Sequence, residues 1–451
     1  MKKQILIVGT CILMTVTTAC DAVGSREAAL KETPKSKEGK TIVTLSLLSI
    51  DAFYDAAEKK FEEKYPNIDI QLKTFKQPGE KWNEGDDEKY VNTTNTSLLS
   101  GKGNDIIEMN NMPIAKYVNK KLLVNMNDLL EQDKTVDKNN LYTKILEPLK
   151  LNGGLYAMPV SYFLRVFVAD EDILNQTSTI VDDTNWTWKQ FEEISQKLIQ
   201  KPGTKGKEPR YGLADNPPET MLQEVVVDSS TAFVDLPTQK AKFDSPAFVD
   251  TMKQIKKMYD DKVATAKPVE IGNQLFYSTV LFNPVDFVDI PYYYFSNPKL
   301  MQKPHAEGKS GQITMSTGYQ LGLNANSPVQ KEAWQFISFL LSEEAQSLKQ
   351  FTGFSMLKSV NEKKLNVIQE QSNNGTYILP SEEAVKKKVK IPDEDFVYIK
   401  QLIQNVDRIA GRDNKVMSII EEESKFYFSG QKTAEEVAKL IQNRVTTYLN
   451  E

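Results

Sequence analysis

The sequence predicts an α/β protein, and three observations carry that prediction. Thr41 to Leu72 reads strand, helix, strand. The apolar run TIVTLSLLS is followed by Phe53, Ala57, Phe61 and Tyr65 at fourfold spacing up to Pro66, then by alternating Ile68, Ile70 and Leu72. Val160 to Val168 is a second apolar run behind the turn residues Asn152-Gly153-Gly154, interrupted by Ser161, Tyr162 and Arg165. Beyond it, capped amphipathic helices alternate with short apolar segments to the end of the chain. A long strand with polar side chains in its middle is either a satisfied core strand or one that leaves a first domain, crosses a cleft and enters a second. The rest of the chain favours the crossing.

Lys2 and Lys3 precede an apolar run from Ile5 to Val16, and Thr17-Thr18-Ala19-Cys20 follows. A basic end, a short apolar core and small residues make an export signal, and the run is too short to span a bilayer comfortably. The small residues before Cys20 resemble a lipoprotein signal, in which the cysteine is lipidated and becomes the new N-terminus. Thr17 departs from that pattern, which usually has Leu there; the competing expectation is cleavage near Ala19 with a free product. Of the two cysteines, Cys11 leaves with the signal and Cys20 carries the lipid, so no disulfide is available. A chain of 451 residues can build a sufficient core without one. Loss of Lys2 and Lys3 takes the formal charge from −5 to −7, and no basic stripe points to nucleic acid. Asp21 to Lys40 has little to bury and reads as a flexible tether, reaching ~65 Å at most.

Within the folded region, the first strand–helix–strand unit is expected to be parallel and right-handed. Lys76 to Asn95 reads as a polar, irregular loop, and Asp86-Asp87-Glu88 lack the alternate ligands and turn glycine of a calcium loop. Asn104 to Ile107 is a short strand ending in Glu108-Met109-Asn110-Asn111. Thr187 and Gln190 form a capping box for a helix burying Phe191, Ile194 and Leu198. Lys201 to Pro218 is a loop. Ser245-Pro246 starts a helix with Phe248, Met252, Ile255 and Tyr259 on one face, and Ser327-Pro328 repeats the device before Trp334 and Phe336. Leu275 to Asp289 reads as a helix turn leading into a strand, with Tyr292, Tyr293 and Tyr294 beyond it. Thr433 and Glu436 cap a last helix burying Val437, Leu440, Ile441, Val445 and Tyr448. There is no internal repeat.

The chemistry of the chain is sparse. His305 is the only histidine, so paired-histidine metal sites are excluded and any catalytic triad has to use this one residue. There is no glycine-rich phosphate loop, and lipidation of Cys20 leaves no thiol nucleophile. Carboxylate pairs stay open, because 61 acidic residues guarantee neighbours in space. The expectation is a chain that is not an enzyme and has no cofactor and no metal.

Six stretches in order resemble the extracellular solute-binding lipoproteins of ABC importers, the family-1 group that includes maltodextrin- and oligosaccharide-binding members. They are FEEKYPNIDIQ (Phe61 to Gln71), GKGNDIIEM (Gly101 to Met109), GGLYAMPVSYFLRVFVADEDIL (Gly153 to Leu174), TWKQFEEISQKL (Thr187 to Leu198), FDSPAFVDTMKQIKKM (Phe243 to Met258) and SPVQKEAWQFISFLLSEEAQ (Ser327 to Gln346). The chain departs at Ala169-Asp170, where the family commonly has Tyr-Asn, and at Ser355 to Lys358, where many members carry a proline. Both departures place it in an outlying branch whose ligand need not be maltodextrin. The resemblance implies a two-lobed periplasmic-binding-protein type 2 fold with three crossings, near Tyr162, Ser316 and Gly353. Residues 1–19 are then the signal and 20–40 the tether. Lobe 1 is 41–161 plus 317–352, and lobe 2 is 162–316 plus 353–451. It also implies a monomer that holds a small-molecule ligand, a sugar or oligosaccharide, and docks onto an importer permease while lipid-anchored outside the cell membrane. Two other functions compete: a glycan-cleaving enzyme with a carboxylate pair, and a non-importing sensor or adhesive surface lipoprotein.

Open α/β sheets bind ligands beyond the carboxyl ends of their strands. Those ends nominate Ser49, Asp51 and Tyr54 after the first strand and Met109, Asn110 and Asn111 after the third. Tyr162 and Arg165 lie at the first crossing, Asn283 and Asp286 follow Leu281-Phe282, and one or two of Tyr292, Tyr293 and Tyr294 join them. Tyr292 and Tyr293 are the nominees, since extended neighbours alternate and all three cannot face one cleft. Asp51 has a second role open to it as a helix cap, and Arg165 as partner of a core carboxylate. Because Tyr162 and Arg165 point to opposite faces of a strand, only one of them is expected to touch ligand, and Tyr162 is the nominee. Trp188 and Trp334 belong to helix cores, while Trp186 is either a staple or a stacking platform.

Overall fold

The computed structural model of the chain describes residues 32–176, 181–200, 209–306, 313–379 and 389–450. Its first sheet begins as the sequence suggests. Strand β1 (Thr41–Ser49) pairs in parallel with β2 (Ile68–Lys76), and β3 (Ile106–Glu108) joins the other side of β1 in parallel. Helix α1 (Ala52–Lys64) connects β1 to β2 and packs Phe53, Ala57 and Phe61 into one cluster with Val43, Leu45 and Leu47. Asp51 caps it, accepting from the amides of Phe53 at 2.8 Å and Tyr54 at 3.3 Å. Sheet order, among the described residues, is β2-β1-β3-β11-β4, where β4 is Met158–Pro159 and β11 is Gln320–Leu323, both antiparallel additions.

A second sheet is built on β5 (Ser161–Asp170), separated from β4 by the single residue Val160. Apart from the two-residue hairpin of β6 (Val234–Asp235) and β7 (Lys240–Ala241), its partners are the remaining strands. They are β8 (Phe276–Leu281), β9 (Pro298–Gln302), β10 (Ile313–Thr317) and β12 (Phe354–Ser355), all antiparallel to β5, with β13 (Val406–Ile409) parallel to β10. Both faces of β5 are covered, and its side chains alternate between two cores. Tyr162, Leu164, Val166 and Val168 enter the cluster that continues from the first sheet. Phe167 and Ala169 enter a second cluster with Phe191, Phe248, Ile420 and Ile441.

Among the described residues the chain passes between the two sheets at Val160, at Gly318-Tyr319 and before β12 at Gly353, and these passes meet at Ser161. The Gly318 amide donates to the Ser161 carbonyl at 2.9 Å, and the Tyr319 amide to the Ser161 hydroxyl at 3.1 Å. A Cβ on Gly318 would lie 2.1 Å from Ser161 Oγ, and one on Gly353 would lie 2.5 Å from Ser161 Cβ. Gly353 also has φ +119°, which only glycine adopts without strain.

Several expectations are corrected. Lys76 to Asn95 is not one irregular loop: Asp86–Leu99 is a helix, α2, burying Tyr90, Thr94 and Leu98. Its apolar face is too thin to read as periodic. Asp86, Asp87 and Glu88 form its first turn, where acids complement the helix dipole, and Asp86 pairs with Lys76 at 2.8 Å. The tether does not run free to Lys40, because the Ile42 amide bonds the Pro34 carbonyl at 3.0 Å and Ser36 to Lys40 close a turn. Strand β8 precedes helix Asp286–Tyr294 rather than following a helix turn, and Tyr292, Tyr293 and Tyr294 are helical, with Pro291 inside. Trp186 is core: it is buried, packs on Phe167, Phe191 and Phe276, and donates its indole N–H to the Gln302 carbonyl at 3.0 Å. Both capping boxes are present, with Gln190 N to Thr187 Oγ1 at 3.3 Å and Glu436 N to Thr433 Oγ1 at 3.2 Å.

Tyr162 is wholly buried, stacked on Phe354 with centroids 5.6 Å apart and edge-on to Tyr142. Tyr162→Ala should therefore cost about 3–5 kcal/mol of stability in denaturant unfolding. Tyr162→Phe, which keeps the ring, should stay within about 1 kcal/mol of the parent.

Candidate functional site

The register of the first sheet decides which residues reach the junction. Leu321 pairs with Glu108, and the Met109 amide donates to the Gln320 carbonyl at 2.7 Å, so the carboxyl end of β3 abuts Tyr319. The carboxyl end of β1 arrives alongside, because the Leu48 amide donates to Glu108 at 3.4 Å. Asp51 follows, accepting from the Tyr319 hydroxyl at 3.4 Å. From the second sheet, β8 ends with Leu281 opposite Leu164, which sets the Phe282 ring edge-on to Phe163 at 5.0 Å. Asn283 and Asp286 close the turn after it, with Asp286 accepting from the amides of Phe282 at 2.7 Å and Asn283 at 3.1 Å.

Of the nominated residues, Ser49, Asp51, Asn110, Asn111, Asn283 and Asp286 stand on strand ends that reach this junction. Ser49 and Asn111 are exposed, and Asn111 sits at φ 65° in a turn asparagine tolerates. The others are corrected. Tyr54 is fully buried on the core face of α1. Met109 is buried with Tyr117 and Leu123, its sulfur against Gly322. Tyr162 points into the core, so the parity argument holds while its nominee does not. Arg165 points to the opposite face, as expected of a residue three along, and forms an ion pair with Asp228. Tyr292 and Tyr293 lie at the wrong end of the second sheet. Tyr294 stacks on Tyr277 at 3.6 Å, Tyr277 pairs with Val168, and β9 then starts opposite Asp170. That is ~25–30 Å along β5 from Ser161.

Four residues at the junction were not nominated: Phe163, Phe282, Tyr319 and Glu108. Phe163 shares its face with Arg165 and is half-buried, while Phe282 is 49% exposed. Tyr319 packs on Phe53 and Tyr54 at 4.7 and 5.2 Å. Glu108 was visible in sequence as the one charge closing an apolar strand. Burial pushes its carboxyl up to about 7, with the charge on Asp51 acting the same way against the Leu48 hydrogen bond. Burial, and then the neighbouring Asp51, also raises the Tyr319 phenol.

Beside Phe163 on the same face lies a second polar cluster. Asp228 is held between Arg165 and Lys303, the latter at 2.7 Å, and Glu224 accepts from Lys303 at 3.1 Å and from the Ser278 hydroxyl at 2.8 Å. Against the cost of burial, Lys303 and Arg165 hold both carboxyls below their usual range. His305 is buried on this sheet, its backbone bonded to Trp186 and Trp188, and burial lowers its pKa. Among the described residues no group of three or more His, Cys, Asp or Glu side chains is placed to hold a metal ion. The junction offers flat apolar surface flanked by acceptors, an arrangement suited to holding a polyhydroxylated molecule.

The model of the bacterial extracellular solute-binding protein family matches residues 48–347. Solved structures agree in fold. An ABC substrate-binding protein from Listeria monocytogenes, in complex with cycloalternan, is 17% identical with a TM-score of 0.55, over 91% of this chain and 99% of that one. A sugar transporter from Rhizobium etli in an open conformation is 16% identical with a TM-score of 0.58, over 90% and 99%. The GacH receptor of Streptomyces glaucescens, solved unliganded and with acarbose, is 15% identical with a TM-score of 0.54, over 91% and 98%. At these identities the likeness is one of fold, an α/β fold related to that of the periplasmic binding proteins. The chain belongs to the bacterial extracellular solute-binding protein family, and so is a binding protein rather than an enzyme.

Proposed function

We propose that this protein captures a saccharide between two lobes and delivers it to the permease of an ABC importer. The lobes are Thr41 to Ser161 with Thr317 to Thr352, and Tyr162 to Ser316 with Gly353 to Glu451. The observation that carries the proposal is the convergence of strand carboxyl ends from both sheets on one junction. There, Phe163, Phe282 and Tyr319 supply ring-sized apolar surface, and Asp51, Glu108 and Asn110 supply acceptors for hydroxyls. The cargo of similar folds supports the same class, since relatives are solved with cycloalternan, acarbose and maltose. Ligand bridging both lobes shifts an open–closed equilibrium toward the closed form, which presents a surface to the permease. The protein works as a monomer, tethered by a lipid on Cys20; Cys20 lies outside the described residues.

Saccharide binding is checked by a thermal-shift panel on the mature chain, with mass spectrometry of small molecules that copurify with it. A ligand at 100 times its Kd should stabilise by about 2.7 kcal/mol. Response to peptides or metal ions alone, with no response to any glycan, would overturn the assignment, and turnover of a glycan would favour the enzyme reading. Phe282→Ala should weaken affinity by about 1–3 kcal/mol while leaving stability nearly unchanged, because the ring is half in solvent. Small-angle scattering should show compaction on ligand addition in the parent and less in the variant at equal ligand concentration. For the anchor, Cys20→Ser should release the protein from membranes or block its processing, since lipid chains contribute about 0.8 kcal/mol per buried methylene. A processed variant still retained at the membrane would remove the lipid claim.

A further inference from the structure

The part of the junction built by the first sheet is rich in acceptors and poor in positive charge. Asp51 accepts from the Phe53 and Tyr54 amides and the Tyr319 hydroxyl, and among the described residues Glu108 accepts from the Leu48 amide alone. Among the described residues neither carboxylate forms an ion pair, in contrast to Asp228 and Glu224 on the second sheet. Among the described residues, two further polar atoms beside this part of the junction are buried without a partner. One is the hydroxyl of Tyr54, a wholly buried side chain within electrostatic reach of both carboxylates; the other is Asn110 Oδ1, two residues beyond Glu108. Asp51 and Glu108 are partly buried, and carboxylates withdrawn from water are costly unless compensated, as are unpaired polar atoms. A neutral sugar hydroxyl brings one donor and no charge, and an anion would be repelled. A protonated primary amine brings three donors and the missing charge.

We propose that the solute carries a protonated amine, as an amino sugar or a saccharide bearing one, and that Asp51 and Glu108 receive its ammonium group. This rests on the saccharide reading and narrows it. The titratable groups facing Glu108 are Asp51 ahead of α1, Tyr54 on α1 and Tyr90 on α2, none of them cationic. Glu108 is pushed up to about 7 in the free protein, and a bound ammonium favours the ionised carboxylate. Binding at pH 6 therefore expels a proton.

The test is calorimetry on the mature chain with glucosamine, galactosamine and their oligosaccharides, each against the neutral counterpart carrying hydroxyl or acetamide in place of the amine. An amine-bearing member should bind at least about tenfold more tightly than its counterpart. At pH 6, titration in two buffers of different ionisation enthalpy should show proton release. Glu108→Gln, nearly isosteric, should abolish both the preference and the release, with thermal melting confirming that it folds; the comparison of ligands in the parent stands without it. Neutral counterparts binding as tightly as the amines, or a preference surviving in Glu108→Gln, would overturn this inference and leave the saccharide reading in place. Absence of binding by every saccharide, charged or neutral, would overturn both.

Discussion

The close approach of three chain passes at Ser161 is the constraint on which the rest of the structure depends. One pass carries Ser161 itself, and the other two carry glycines because a Cβ on either would collide with that serine. The serine is small enough to admit them and polar enough to bond one carbonyl and one hydroxyl to the pass that returns through Gly318 and Tyr319. Interiors packed at this density do not deform continuously. The placement of each strand end beyond the junction is therefore inherited from a few backbone contacts. Phe163, on the same face and two residues on, is the first side chain along β5 with access to solvent. The polar anchor continues behind it: Gln346 donates to the Val160 carbonyl at 3.1 Å and bonds Ser355, and Asn361 brackets Ser355 from both sides at 2.8 Å.

Strand β5 shows how one element serves three purposes through the alternation of its side chains. Its even-numbered residues from Tyr162 to Val168 are uniformly apolar or aromatic and fill the core shared with the first sheet. Its odd-numbered residues change character along the strand, from Ser161 at the junction through Phe163 and the Arg165 ion pair to Phe167 and Ala169 in the second core. A strand with one monotonous face and one graded face has its register pinned by the first, leaving the second free to carry chemistry.

How much of this was legible in the sequence follows from the range of the interactions. The cap at Asp51, the boxes at Thr187 and Thr433, and the spacing of Phe53, Ala57 and Phe61 are local, and the structure has them where the sequence suggests. Helix α2 was not legible because its buried face is one aspartate, one tyrosine, one threonine and one leucine. The tyrosine run 292–294 misled for a related reason: Pro291 and three aromatics suggest extended chain, yet Pro291 lies inside the short helix Asp286–Tyr294 and the helix runs through it. At the candidate site, strand ends could be located from sequence, but which neighbour of a pair turns toward the junction depends on the phase of a strand against a partner far away in the chain. Tyr162 and Phe163 look alike until Tyr162 meets Phe354 and Phe163 meets Phe282. The same ambiguity put Met109 among the nominees and left out Glu108, although Met109 is buried with Tyr117 and Leu123.

The two sheets solve the electrostatics of buried acids in opposite ways, and pH acts on them with opposite sign. On the second sheet, Lys303 and Arg165 hold Asp228 and Glu224 below the ordinary carboxylate range. That contribution to stability is present at neutral pH and is lost as pH falls through the depressed values. On the first sheet, Glu108 is raised from 4.5 to about 7. The folded state there binds a proton the unfolded chain has given up, so its contribution is present below about 4.5 and lost as pH rises toward 7. The second sheet's cluster is complete without ligand, and its charges support the wall on which Phe163 stands. The first sheet's pair is incomplete near neutrality, and nothing among the described side chains neutralises it. The cationic solute proposed above would supply to the first sheet the charge that Lys303 and Arg165 already supply to the second.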